Sequence, residues 1–127
     1  MSVSSRILVG LTIELAHDLT AADFKKIHRL EEKYPELDEY SYNPEEREGQ
    51  LLLIYDGMNG QFARLIMIDK LIEGGSLGEA NEFFELAAPG HVFNKELVSK
   101  MADLYEEYTD TRPALTDYRY AMWSMWM

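Results

Sequence analysis

The sequence contains no cysteine in 127 residues. This absence excludes disulfide bonds, zinc–thiolate sites, iron–sulfur clusters and a thiol nucleophile. It also fits a reducing compartment, so we expect a cytoplasmic protein. The chain lacks a run of the roughly 20 apolar residues that a membrane span needs. The apolar run that starts at Ile7 has no A-x-A-like cleavage site, so we expect neither a membrane span nor a signal peptide.

Positive charge is also scarce. The chain has 12 Lys and Arg residues against 23 Asp and Glu residues, which gives a formal net charge of −11. The basic residues are scattered and form no basic stripe, so we expect no direct binding to DNA or RNA and none to an anionic membrane. With 46% hydrophobic residues, the chain can build the core of a single domain over residues 1–127.

Negative charge is concentrated in residues 31–48, which we call the acidic segment. Only Lys33 and Arg47 oppose its eight carboxylates, so the segment carries −6 of the formal charge. The carboxylates belong to Glu31, Glu32, Glu36, Asp38, Glu39, Glu45, Glu46 and Glu48. Charge concentrated in this way repels nucleic acid and attracts basic surfaces. The alternative interpretation is a solvated loop that only aids solubility.

The first half of the chain predicts a strand, a helix and a second strand. Apolar residues alternate over residues 7–15, which indicates a strand with one buried face. Thr20 and Asp23 have the spacing of a capping box at the start of a helix, and Pro35 ends that helix. The run Leu51–Tyr55 is apolar on both faces, which is typical of a central strand.

One segment of the second half is ambiguous. Residues 56–60 read Asp-Gly-Met-Asn-Gly, which predicts a hairpin turn. We therefore favour a strand over residues 61–72, because a strand there completes the hairpin. The composition of this segment also permits a helix that Gly74 would end.

Two helical pieces and a strand are predicted for the rest of the chain. Ser76 and Glu79 form an S-x-x-E capping box, which predicts a helix that ends at Pro89. Asn94 has the position of an N-cap for a second helical piece. The tail, residues 117–127, has the composition of a strand.

The predicted order is strand, helix, strand, strand, helix in two pieces, and strand. This is the β-α-β-β-α-β plan of ferredoxin-like folds. We therefore expect an α+β domain with an antiparallel sheet and with the helices packed on one face. A fold of this kind hosts many unrelated functions, so it identifies no activity.

The tail strand carries two tryptophans on opposite faces. Successive strand residues point to opposite sides of a sheet, so Trp123 and Trp126 cannot both lie under the helices. The uncovered face would then need a partner, a ligand or a second copy of the chain, which makes a homodimer possible. The alternative is a central strand that neighbouring loops bury.

The remaining motifs carry little chemistry. His28 precedes Glu31 and Glu32 at a helical spacing that can hold a metal ion, but no second histidine joins it. His17 follows the first strand, where a general base could lie, but no nucleophile motif is near it. The loop at residues 56–60 lacks the spacing of a phosphate-binding loop. We therefore expect no catalytic residue, no metal and no cofactor.

The sequence favours a non-enzymatic interaction protein. Its composition resembles that of small acidic phage-encoded inhibitors of host defence, including anti-CRISPR and DNA-mimic proteins. This resemblance implies an inhibitor that blocks a basic or nucleic-acid-binding surface on a partner protein. The predicted contact residues are Glu36, Asp38, Glu39, Tyr40, Tyr42, Glu45, Glu46, Glu48, Trp123 and Trp126. Two alternatives are a homo-oligomeric ligand-binding or structural module that uses its aromatic sheet face, and a small enzyme that uses His17 or His28.

Overall fold

A computed structural model of the chain describes residues 5–38, 50–55, 62–73, 83–87, 90 and 93–126. Within these ranges the chain forms two α-helices, five strands and two short 3₁₀ turns, at Pro35–Leu37 and Leu115–Asp117. The longer elements are β1 (Ser5–His17), α1 (Ala21–Lys33), β2 (Leu51–Tyr55), β3 (Phe62–Glu73), β4 (Phe83–Leu86), α2 (Lys95–Thr109) and β5 (Tyr118–Trp126). Neither of these two helices has the length and apolarity that crossing a membrane requires.

The strands form one antiparallel sheet in the order β2-β3-β1-β5-β4. The predicted α+β class with an antiparallel sheet is therefore confirmed. β1 lies in the middle and pairs with β3 on one side and β5 on the other. β2 and β4 are the two edge strands.

The strand interpretation of residues 61–72 is confirmed. β3 pairs with β2 in antiparallel register, with Leu53 opposite Leu65 and Tyr55 opposite Ala63. β2 spans the same five residues that the sequence predicts, and β1 extends the predicted strand by two residues at each end. Asn94 caps α2 through its side-chain oxygen, which accepts hydrogen bonds from the backbone N–H groups of Glu96 and Leu97.

The predicted helix over residues 76–89 is wrong where the structure describes it. Residues 83–86 form the edge strand β4, with Phe83 opposite Trp123 and Leu86 opposite Tyr120. A short apolar run fits a strand as well as a helix, and here pairing with β5 decides between them. The capping box at Ser76 and Glu79 lies outside the described residues, as do residues 39–49 and the glycine-containing turn at residues 56–60.

The two faces of the sheet carry separate buried clusters. The larger cluster joins β1, β2 and β3 to both helices and includes Ile27, Leu30, Met101 and Leu104. The smaller cluster consists of sheet residues that alternate with these, namely Leu8, Leu52, Ile54, Phe62, Ile66, Ile68 and Trp123. α1 and α2 therefore pack on one face, as predicted, and the opposite face is also apolar.

A β-bulge interrupts the pairing of β1 with β3. Val9 pairs with Lys70 and Gly10 with Ile68, so Asp69 is the extra residue on β3. Asp69 accepts a hydrogen bond of 2.5 Å from the phenol of Tyr120 on β5. Burial and this bond raise the pKa of Tyr120 from 10.0 to about 12, so the phenol remains a donor well above neutral pH. The side chain of Asp69 thereby connects the bulge on β3 to β5.

Candidate functional site

The start of the acidic segment is held against the edge of the sheet. α1 ends at Lys33, and Pro35 begins the 3₁₀ turn that carries the chain away from the helix. Leu37 in this turn is fully buried in the core. The next residue, Asp38, forms a parallel bridge with Leu53 on β2. The end of α1 and the residues after it therefore have defined positions beside β2.

This arrangement places three carboxylates around one surface depression. The depression has a volume of about 320 Å³ and is lined by His28, Glu31, Glu32, Pro35 and Asp38. The Oε1 atom of Glu31 is buried and has no hydrogen-bond partner. A buried acceptor without a donor costs about 1–3 kcal/mol, so a local rearrangement that brought a hydrogen-bond donor to this oxygen would be favoured.

The predicted contact residues do not all lie at this depression. Asp38 lines it, whereas Glu36 points elsewhere and forms a salt bridge of 3.3 Å with Lys100 on α2. The Glu36 side chain is still 56% exposed, so a partner could compete for it. The other predicted contacts of the segment, Glu39, Tyr40, Tyr42, Glu45, Glu46 and Glu48, lie outside the described residues.

The two tryptophans of the tail have separate positions on β5. Trp123 is only 2% exposed and belongs to the buried cluster on the face opposite the helices. It lies opposite Leu8 on one side and Phe83 on the other, in the interior of the sheet. Trp126 lies at the end of β5, opposite Ser5. The chain itself therefore buries Trp123.

Neither described histidine lies in an enclosed site. The Nδ1 atom of His17 is 3.0 Å from the carboxylate of Glu14, but the His17 side chain is 72% exposed. The His28 ring packs edge-on against Tyr55, with 6.4 Å between the ring centroids. In the part of the chain that the structure describes, His, Asp and Glu side chains form no group of three that could hold a metal ion.

A larger groove lies on another side of α1, and the sequence did not lead us to predict it. It has a volume of about 710 Å³ and runs between α1 and the last turn of α2. Its lining residues are Lys26, Arg29, Leu30, Glu32, Lys33, Glu107, Tyr108 and Asp110. The three basic residues stand at positions i, i+3 and i+7 of α1, which is the spacing of one helical stripe. This spacing could have revealed a local basic stripe in an acidic chain.

Internal contacts occupy part of this groove. Lys33 forms a salt bridge of 2.7 Å with Glu107, and the hydrogen bond from this pair raises the pKa of Lys33. Glu107 also accepts a hydrogen bond of 3.1 Å from the phenol of Tyr34. Lys26 donates a hydrogen bond of 3.4 Å to the carbonyl oxygen of Tyr108 and lies 5.1 Å from the centre of its ring. These contacts connect the two walls.

Comparisons with known proteins give no match. No protein-family model, no curated protein and no solved structure is significantly similar to this chain. The function must therefore be argued from the side chains themselves.

Proposed function

We propose that the protein is a non-enzymatic interaction protein whose acidic segment binds a basic surface on a partner protein. The observations that carry this proposal are the depression lined by Glu31, Glu32 and Asp38, and the carboxylate oxygen of Glu31 that is buried without a donor. A lysine or arginine side chain would supply a positive charge to these carboxylates and an N–H donor to Glu31.

The mechanism would be electrostatic and steric. A net charge of −11 accelerates the encounter with a basic partner, and the carboxylates then pair with its lysines and arginines. Where those basic residues normally bind phosphates, the protein would exclude nucleic acid and so act as an inhibitor. Glu36 and the predicted contacts from Glu39 to Glu48 would extend this surface. The absence of cysteine supports a cytoplasmic location for this activity.

We propose that the fold is a ferredoxin-like arrangement with one added strand. Without β4, the element order is β-α-β-β-α-β. β3 lies between β1 and β2, as the split β-α-β unit of such folds requires. In this proposal β4 is an extra strand that extends the sheet beyond β5.

The experiment is a pull-down from source lysate with three forms of the tagged protein. The first form is wild type, and the second removes three charges at the depression through Glu31→Gln, Glu32→Gln and Asp38→Asn. The third form is a matched control that removes three charges from the exposed face of α2 through Glu96→Gln, Asp103→Asn and Glu106→Gln. Captured proteins are identified by mass spectrometry after washes at low and high salt.

The proposal expects a basic partner that wild type and the control retain at low salt and that high salt releases, because salt screens exposed charge pairs. The depression variant should lose most of this partner. The purified partner should then lose its binding to duplex DNA when wild-type protein is added. Equal capture by the depression variant and the control would refute the assignment to the depression.

A further inference from the structure

Arg29 on α1 has an electrostatic environment that the fold itself does not explain. Lys25, Lys26 and Lys33 stand four residues before it, three before it and four after it, where like charges destabilise a helix, whereas only Glu32, three residues after it, has the opposite charge at such a spacing. Glu107 offsets the charge of Lys33, and the carbonyl oxygen and ring of Tyr108 offset that of Lys26. No carboxylate among the described residues lies within salt-bridge distance of exposed Arg29.

The groove beside Arg29 has walls of opposite charge. Lys26 and Arg29 line the α1 wall, and Asp110 lines the α2 wall. Asp110 is the C-cap of α2 in the left-handed conformation, and its backbone N–H donates to the carbonyl of Glu106. Leu30 and Tyr108 also line the groove, with 4% and 5% of their surface exposed. A volume of about 710 Å³ lies in the range typical of small-molecule sites.

We propose that this groove binds a small zwitterion, with its carboxylate on Arg29 and Lys26 and its ammonium group on Asp110. The planar guanidinium of arginine matches a carboxylate through two parallel hydrogen bonds. A more highly charged anion would meet repulsion from Glu32, Glu107 and Asp110, which line the same groove. Free amino acids and short peptides have the required pair of charges, and an apolar side chain would contact Leu30 and Tyr108.

The test uses three probes that share one side chain, namely L-leucine, N-acetyl-L-leucine and L-leucinamide. Each is titrated to roughly 10 mM into ¹⁵N-labelled protein, and the backbone amide shifts of the groove residues are followed by NMR. L-leucine should shift the amides of Arg29 and Asp110 in a saturable manner. The acetylated probe lacks the ammonium group and the amide probe lacks the carboxylate, so each should bind at least about tenfold more weakly.

Matched variants assign the contacts. Arg29→Gln and Asp110→Asn should each weaken binding of L-leucine by about tenfold or more. Asparagine tolerates the left-handed conformation of Asp110, so the second variant keeps the helix cap. Lys25→Gln removes one positive charge and Glu96→Gln one negative charge outside the groove, and both should leave the affinity for L-leucine unchanged. Equal binding of N-acetyl-L-leucine, or no saturable shift with any probe, would overturn the proposal. Neither result would bear on the separate proposal that the acidic segment binds a basic partner.

Discussion

The phenol of Tyr108 donates a hydrogen bond of 2.8 Å to the carboxylate of Asp23. Tyr108 belongs to the last turns of α2, and Asp23 belongs to the first turn of α1. The same carboxylate accepts the backbone N–H of Thr20 at 2.9 Å and completes the capping box of α1. One carboxylate therefore caps a helix and also connects the two helices.

Removal of this phenol should destabilise the protein. Tyr108 is 5% exposed, so Tyr108→Phe keeps its packing and removes only the hydrogen bond to Asp23. We expect the free energy of unfolding in urea to fall by about 1–2 kcal/mol. Tyr105→Phe on the same helix is the matched control and should change the free energy of unfolding by less than about 0.5 kcal/mol. Equal effects of the two variants would contradict this role for Tyr108.

The stability should also depend on the protonation of Asp23. The hydrogen bond from the backbone of Thr20, followed by that from Tyr108, holds the pKa of Asp23 below its ordinary value of 3.8. A carboxyl whose pKa is lower in the folded state stabilises the fold above the unfolded pKa, and this stabilisation is lost as the pH falls through the folded value. The free energy of unfolding of wild type relative to Asp23→Asn should therefore shrink as the pH falls from about 5 through the lowered folded pKa of Asp23. Urea titrations at each pH measure the free energies of unfolding of the two proteins. A difference that stays constant with pH would show that the charge of Asp23 contributes nothing to stability.

Gly10 should not tolerate a larger side chain. A Cβ atom at this position would overlap the carbonyl oxygen of Met67 on the neighbouring strand. Gly10→Ala must therefore displace β1 from β3 at the bulge, and we expect a loss of about 1–3 kcal/mol or more in thermal or urea unfolding. Gly90→Ala is the control, since a Cβ at Gly90 has no atom within 4 Å. A fully stable Gly10→Ala variant would show that the bulge adapts.

Removal of the Trp123 side chain should destabilise the folded chain itself, whether or not the chain forms an oligomer. Trp123→Ala would leave a cavity among Leu8, Ile66 and their neighbours, at a cost of about 3–5 kcal/mol. Leu115→Ala, at a residue that is 90% exposed, should cost less than about 0.5 kcal/mol. Truncation after Tyr120 removes the pairing of Ala121–Trp126 with β1, so circular dichroism should show unfolding. A wild-type dimer that becomes a folded monomer after truncation would instead support a homodimer held by the tail.

The elements that the sequence predicts well are those that local patterns determine. Leu51–Tyr55 is apolar at every position and flanked by polar residues, and Thr20 and Asn94 satisfy helix N-termini through their own side chains. Residues 83–86 were assigned wrongly because their structure depends on β5, which lies more than 30 positions later in the chain. No local pattern of apolar residues carries that information.

The candidate site was predictable only in part. Charge density marks the acidic segment, but the depression forms because Leu37 is buried and Asp38 pairs with Leu53. The burial of Trp123 likewise involves residues of three other strands, β1, β2 and β3. The groove beside Arg29 needs the last turn of α2 against α1, which helix periodicity alone does not predict.

The central position of β1 affects how the chain can fold during synthesis. β1 is synthesised before both of its neighbours, β3 and β5, and its residue Ile13 pairs with Tyr118, 105 positions later in the chain. Contacts between such distant segments slow folding because a long loop must close before they form. Until β5 has been synthesised, β1 therefore remains an apolar strand with an open edge, and such strands associate with other chains. The nascent protein should depend on a chaperone, or on rapid release from the ribosome, more strongly than its small size suggests.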